Sequence, residues 1–390
     1  MISVAEALEQ LFALASPMDI EEVPLRQAAG RILAADVIAQ RTQPPFDASS
    51  MDGYAMRRAE VEPDAMFKVV GEAAAGRGFE GRVGPGQCLR IFTGAPVPEG
   101  LDRVVIQEDV TRKGDLVTLK RDLDGKDNIR PAGCDFKTGD RIAAPRLLGP
   151  ADVALLASMN IPDVPVRRSP VVAVIATGDE LVMPGETPAP DQIIASNSFG
   201  LAAQLEAAGA IARLIPIARD TSASLKTALM LAAEADLIVT IGGASVGDYD
   251  LVAPVAAEMG MQQSFYKVAM RPGKPLMAGR LKGVPMIGLP GNPVSALVCG
   301  TIFVVPVIRA MLGLGAASVP RQTGRLAAPL EQNGPREHYM RAALSPEGLR
   351  AFEAQDSSLL SILAQSNALV IRPPHDAPRT AGDEVSYIPI

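Results

Sequence analysis

Residues Val171–Ala176 read Val-Val-Ala-Val-Ile-Ala, an unbroken apolar run rich in β-branched side chains, which predicts a strand buried on both faces. A helical pattern follows over Phe199–Ala208 and stops at Gly209. Next come a strand over Ile211–Ile217, a helix over Ser222–Ala235 and a strand over Leu237–Ile241. A further strand over Met286–Leu289 leads through Pro290-Gly291-Asn292-Pro293 into a helix. Strands and helices alternating at this spacing predict a parallel sheet with helices on both faces, and ligands beyond the strands' carboxyl ends. The flanking segments have a different texture. The chain up to about residue 44 reads as helical and Ala-rich, opening on a Ser3/Glu6 capping box and a helix that Pro17 closes. From 45 to 140 it is β-like, with short runs at Phe67–Val70, Leu89–Phe92, Val104–Gln107 and Leu116–Leu119 and a hairpin at Lys113-Gly114-Asp115. Gly149-Pro150 opens a short helix ending near Asn160, and the Pro-rich Ile161–Pro170 reads as a linker. Short runs past 319, including Ala368–Arg372 and Glu384–Ile388, predict a small β-domain.

Composition narrows the class. The 390 residues, at a prior of ~150 per domain, suggest two to four domains. With 48% hydrophobic and 21% charged residues the chain is not disordered, and a net charge of −7 without like-charge blocks argues against a nucleic-acid partner. The longest apolar run, Val294–Ile308, is interrupted by Gly300 and Pro306 and reads as a core helix, not a membrane span. Met1–Glu6 lacks the basic start of an export signal, and the three lone cysteines Cys88, Cys134 and Cys299 fit a reducing cytosol. They form no C-x-x-C pair, which excludes zinc ribbons, iron–sulfur ferredoxins and a disulfide framework. The only histidines, His338 and His375, exclude a multi-histidine metal site and strain a Ser-His-Asp triad. Any metal here is expected to be a hard cation held by oxygens.

Chemistry concentrates in three Gly-rich strand-to-helix turns: Thr177-Gly178-Asp179-Glu180, Gly242-Gly243-Ala244-Ser245-Val246-Gly247-Asp248-Tyr249-Asp250, and Pro290-Gly291-Asn292. Glycine lets backbone approach a ligand, and helix N-termini aim N–H groups at anions. Ser245 adds a hydroxyl, and Glu180 and Asp250 add carboxylates suited to Mg²⁺ beside a phosphate. Neither a Walker A sequence nor G-x-G-x-x-G is present. Lys267, Arg271 and Lys274, turned by Pro272-Gly273, suit a polyanionic substrate. Asp47-Ala48-Ser49-Ser50-Met51-Asp52 and Thr93–Pro98 form a second polar cluster. Each turn alone is equally an ordinary connector, and each cation an ordinary surface charge. Three such turns on one edge favour a site.

Together Asp47–Ala55, Thr93–Pro98, Thr177–Leu181, Gly242–Asp250, Arg271–Pro275 and Gly288–Ala296 resemble the signatures of the MoeA family, the molybdopterin molybdenumtransferases, in the family's order over almost the whole chain. The resemblance implies an enzyme that binds adenylyl-molybdopterin, cleaves its pyrophosphate link with release of AMP and inserts molybdate, with Mg²⁺ required. It implies a multidomain α/β protein: a helical linking domain (1–44 completed by 141–168), a β-rich second domain (45–140), a three-layer α/β molybdopterin-binding domain (169–318) and a small C-terminal β-barrel domain (319–390). It further implies a homodimer whose site lies between one subunit's second domain and its partner's third and fourth, to which the thiols, the apolar runs and the charge add the expectation of a cytoplasmic setting without membrane or nucleic acid.

Carried over by position, Asp52 and Thr93 reach the site from the partner subunit, and Asp135 is another carboxylate of the second domain. Glu180, Asp220 and Asp250, the cations Lys267 and Arg271, and the fourth domain's Arg341 and Ser357 match further positions, and Lys274, read from its charge beside the same sheet edge, completes the expected catalytic set. Thr177, Gly178, Asp179, Gly242, Gly243, Ser245, Val246, Gly247, Pro290, Gly291 and Asn292 bind the pterin nucleotide, and Glu180, Asp250 and Asp52 hold the metal. The chain has Cys134 where many relatives carry Glu, Ala244 where Val is frequent, and Arg271 in place of the Lys of some members. Two other readings stay open: a pterin carrier without turnover, and a molybdopterin adenylyltransferase, which would leave about 240 residues unused.

Overall fold

The computed structural model describes residues 1–243 and 251–390. At its centre is a six-stranded sheet in the order Ile211–Ala218, Val171–Thr177, Leu237–Ile241, Val284–Leu289, Met277–Leu281, Met261–Tyr266. The first four strands run parallel. Met277–Leu281 runs against both neighbours, so the expected parallel sheet is in fact mixed. The cause is local: Lys282 and Gly283 both take positive φ (48° and 91°), the two-residue turn that folds one strand back on the next.

Successive side chains of a strand face opposite ways, and the apolar runs therefore feed two cores. Val172, Val174, Leu237 and Val239 pack with Leu201, Leu205 and Phe303 on one face. Ala173, Ile175 and Ile238 pack with Leu225, Leu229 and Val255 on the other. The result is three layers. The helix Pro293–Met311 spans 19 residues with mean hydropathy 2.0, enough by length and composition to cross a membrane, but 72% of it is buried inside the fold, as a core helix requires.

The first helix, Val4–Leu14, carries the expected cap: Glu6 N–H donates to Ser3 Oγ (3.2 Å) while Ser3 N–H donates to Glu6 Oε2 (2.7 Å). Its Val4, Leu8 and Leu11 join the α/β core. The chain beyond it is not helical as expected. Ile20–Pro24, Asp163–Arg167, Ile32–Leu33 and Arg146–Leu147 form a four-stranded sheet, beside the helix Pro150–Ser158. The linker expected over Ile161–Pro170 thus contains a strand, with Val164 and Val166 fully buried on alternate positions.

The β-rich region orders Arg103–Ile106, Gly53–Met56, Gln87–Ile91, Met66–Ala73, Leu116–Leu119 and Val110–Lys113 in one sheet, with the last two joined at Gly114 as expected. At the C-terminal end, Glu337–Ser345, Ala368–Arg372, Glu384–Pro389 and Gln322–Arg325 pair in sequence, and Gly348–Ala351 flanks Glu337–Ser345. A Leu326–Leu349 bridge closes this sheet into a barrel around Ala342, Val370 and Val385. Met270–Arg271 adds to the barrel in parallel with Glu337–His338, so one backbone ladder ties the barrel to the α/β domain.

Candidate active site

The carboxyl ends of the three parallel strands bring their turns into contact. Thr177 Oγ1 donates to Ile241 O (3.4 Å), and Gly242 N–H donates to Leu289 O (3.0 Å). Gly242 has φ +96°, and a Cβ there would lie 2.8 Å from Thr177 Oγ1 and 2.9 Å from Thr177 O. Only glycine fits. Gly291 stacks on Gly242, with its own Cβ position 3.5 Å from the Gly242 Cα. Asn197, at the start of the Asn197–Ala207 helix, donates from Nδ2 to Gly291 O (2.6 Å) and fixes the third turn. Thr177, Gly178, Gly242, Gly243, Pro290, Gly291 and Asn292 thus share one rim, whereas Ser245, Val246, Gly247 and Asp250 lie outside the described residues.

Acids gather beside this rim. Asp179 Oδ1 accepts the Asp220 N–H (3.1 Å), which joins the Thr177–Leu181 turn to the end of the neighbouring strand. Burial, reinforced by the charge of Asp179 and then of Glu180, holds the Asp220 carboxyl above its ordinary range. Glu180 is exposed and makes no side-chain hydrogen bond or ion pair among the described residues.

Cations come from the other side. Lys267 follows the strand that ends at Tyr266, with its Nζ 4.9 Å from the Tyr266 ring centroid. The 267–274 segment doubles back, Val268 N–H donating to Lys274 O (3.0 Å). Arg271 is laid against His338 by the shared ladder. Arg341 is only 1% exposed, yet among the described residues its guanidinium reaches just Gln355 Oε1 (3.4 Å) and Leu359 O (3.3 Å). Burial lowers its proton affinity, the Asp356 charge opposes that, and the Arg271 charge adds to it. Ser357 is brought to the third turn, where its carbonyl accepts the Val294 N–H (3.0 Å) at the start of the Pro293–Cys299 helix. Arg271, Arg341 and Ser357 therefore belong to one corner of a single chain.

His338 is the residue that sequence reasoning passed over. Burial, and then the charges of Arg271, Arg372, Arg336 and Arg341, push it down to about 4. The folded form binds fewer protons than the unfolded chain below the ordinary value of 6.5. Stability present above that value is therefore lost as pH falls towards 4, by about 3 kcal/mol. Urea unfolding at pH 7 and pH 4 is expected to show a steeper loss for the wild type than for His338→Gln; equal losses would contradict the assignment.

The β-rich region builds its own cluster. Thr93 donates from both N–H and Oγ1 to Asp52 Oδ1, each at 2.8 Å. Those bonds, aided by the Arg90 charge, hold Asp52 below the usual carboxylate range. Asp47 Oδ1 staples the Ala132 N–H (2.8 Å), and exposed Asp135 follows three residues on. Among the described residues, the turn and side-chain hydrogen bonds of 45–140 stay within 39–140. Within one chain, then, Asp52 is bonded to Thr93 and Asp135 lies on another loop of the same region, whereas Arg341 and Ser357 go with the α/β rim. No three His, Cys, Asp or Glu side chains among the described residues cluster closely enough to hold a metal ion. The candidate donors are nonetheless all carboxylate oxygens, the chemistry a hard cation such as Mg²⁺ takes.

Known families match all three regions of the chain. Residues 2–160 match the MoeA N-terminal region (domain I and II), 173–310 a probable molybdopterin binding domain, and 323–390 the MoeA C-terminal region (domain IV). The chain is 36% identical to a molybdopterin molybdenumtransferase of Nostoc sp., covering 99% of this chain and 93% of that one. It is 34% identical to a molybdopterin molybdenumtransferase of Haemophilus influenzae, over 99% and 96%. The crystal structure of a molybdopterin biosynthesis MoeA protein from Pyrococcus horikoshii OT3 superimposes with a TM-score of 0.85 at 27% identity, each chain covered completely.

Proposed function

Because the chain belongs to the MoeA family, we propose that it is a molybdopterin molybdenumtransferase that inserts molybdate into adenylyl-molybdopterin and releases AMP. The observation that carries this reading is the convergence of three glycine turns with Arg271, Arg341 and Ser357 on one corner. A pyrophosphate and an oxyanion must be held together there, and two unit charges ~4 Å apart repel by about 4 kcal/mol at an effective dielectric near 20. Lys267, Arg271, Lys274 and Arg341 offset that repulsion, while turn N–H groups and Ser357 orient the oxygens.

Glu180, Asp250 and Asp52 would hold Mg²⁺, which when bound neutralises phosphate charge and polarises the phosphorus. Asp52, Thr93 and Asp135 come from a second copy, which makes the working unit a homodimer. Asp220 keeps a proton to higher pH than an ordinary aspartate and stands next to Glu180, so the pair supports proton transfer at the phosphate. The reducing cytosol expected from the lone thiols remains part of the proposal.

The test is direct. Purified full-length protein with adenylyl-molybdopterin, Mg²⁺ and molybdate is expected to release AMP in step with molybdenum bound to the pterin, without consuming ATP. An adenylyltransferase would consume ATP, and a carrier would release nothing; either outcome refutes the reading.

A further inference from the structure

We propose that Arg219 is a positioning residue that holds the Thr177–Leu181 turn in the shape that presents Glu180. This inference rests on the functional reading above for its catalytic consequence, though not for its geometry. Arg219 Nη1 donates to three carbonyls of that turn, on both sides of Glu180: Asp179 O (3.0 Å), Leu181 O (3.0 Å) and Gly178 O (3.4 Å). The clamp is reciprocal, since the next residue, Asp220, donates its N–H to Asp179 Oδ1 (3.1 Å) and Gly178 N–H donates to Ala218 O (3.1 Å). Arg219 N–H is itself fixed by Ser224 Oγ (2.9 Å), which ties the arginine to the first turn of the Ser222–Leu231 helix.

The turn that the guanidinium holds carries Asp179 and Glu180, and Asp220 is its chain neighbour, yet among the described residues it makes no ion pair with any of the three and bonds to backbone carbonyls instead. Its N–H groups go to carbonyls that the turn leaves without strand or helix partners. Among the described residues, the carboxylate of Glu180 is left without an ion-pair partner. A planar fork suits this task because one nitrogen carries donors in fixed directions, which an ammonium on a flexible stem does not reproduce.

Wild type, Arg219→Ala and Arg219→Lys, all full length, separate the possibilities. Amide exchange is expected to quicken at least tenfold at Gly178 and Asp220 in Arg219→Ala, with Leu237–Ile241 unchanged. In AMP release, kcat is expected to fall at least tenfold with KM within threefold. Lysine should recover part of the loss, and added methylguanidinium should partly restore the alanine variant. Unchanged exchange, or an unchanged kcat in Arg219→Ala, overturns the proposal, as does a loss confined to KM. A wild type that releases no AMP refutes the functional reading instead, and the exchange measurement still decides whether Arg219 clamps the turn.

Discussion

Glu180→Gln is expected to lower kcat for AMP release about a thousandfold, the scale set by removing one preorganised electrostatic group from a site, while the unfolding midpoint stays where it is. The side chain is exposed and makes no bond among the described residues. The turn that carries it is held by other groups: Asp179 on the Asp220 N–H, and Glu180's own carbonyl accepting the Ile193 N–H (2.8 Å). Losing the charge therefore costs the fold almost nothing, since substitutions of this kind usually stay within about 0.5 kcal/mol. Steady-state kinetics paired with urea unfolding checks both halves. Retained turnover removes Glu180 from the mechanism, and a large drop in stability would show that the side chain has a structural partner. Asp250→Asn is expected to lose activity in the same way.

Gly242→Val acts on the opposite quantity. It should destabilise the protein by about 4 kcal/mol, from a positive-φ conformation forced on a branched residue and from overpacking, and leave no measurable turnover. The backbone at φ +96° and the 2.8 Å and 2.9 Å approaches to Thr177 leave no room for a Cβ. Thr177 is buried and its hydroxyl is engaged with Ile241 O, so the neighbour cannot swing away. Two turns must separate or the sheet edge must open. A variant as stable as the wild type would mean that the contact between the turns is not tight.

Much of this was legible in the sequence because the signals were local. Leu237–Ile241 has its expected bounds, and Val171–Ala176 extends by Thr177 alone; a strand buried on both faces has a continuous apolar run that little else produces. The glycine turns were legible for the same reason, since their conformations demand the residue. Strands of two residues such as Ile32–Leu33 and Val37–Ile38 have no such pattern, and the region up to 44 was therefore read as helical. In Asp163–Arg167 the alternation of Val164 and Val166 was masked by Pro162 before the strand and Pro165 between the two valines. Met277–Leu281 was missed because its Lys282-Gly283 turn is a weaker hairpin sign than Asn-Gly.

Within the site, legibility followed the same line. Asp52 with Thr93, and Arg271 with Arg341, were named from family motifs, and the members of each pair lie near one another in the fold. Arg219 and His338 were not found. Arg219 follows a strand of the same sheet, but its turn lacks glycine, and its role comes from carbonyls about forty residues earlier in the chain. His338 is defined by arginines from three separate segments. Neither leaves a mark in sequence spacing.

The central claim is that acids of one subunit complete the anion cage of its twin. Mixing Asp52→Asn with Glu180→Gln, each inactive alone, and allowing subunits to exchange tests it most directly. Asn keeps an acceptor for the Thr93 bonds, so the fold is preserved. If the site spans two chains, half of the randomly mixed dimers regain one intact site of two, and AMP release should rise to about a quarter of the wild-type rate. A mixture that stays inactive after verified exchange would mean that Asp52 and Glu180 serve the same chain, and the shared cage would be wrong.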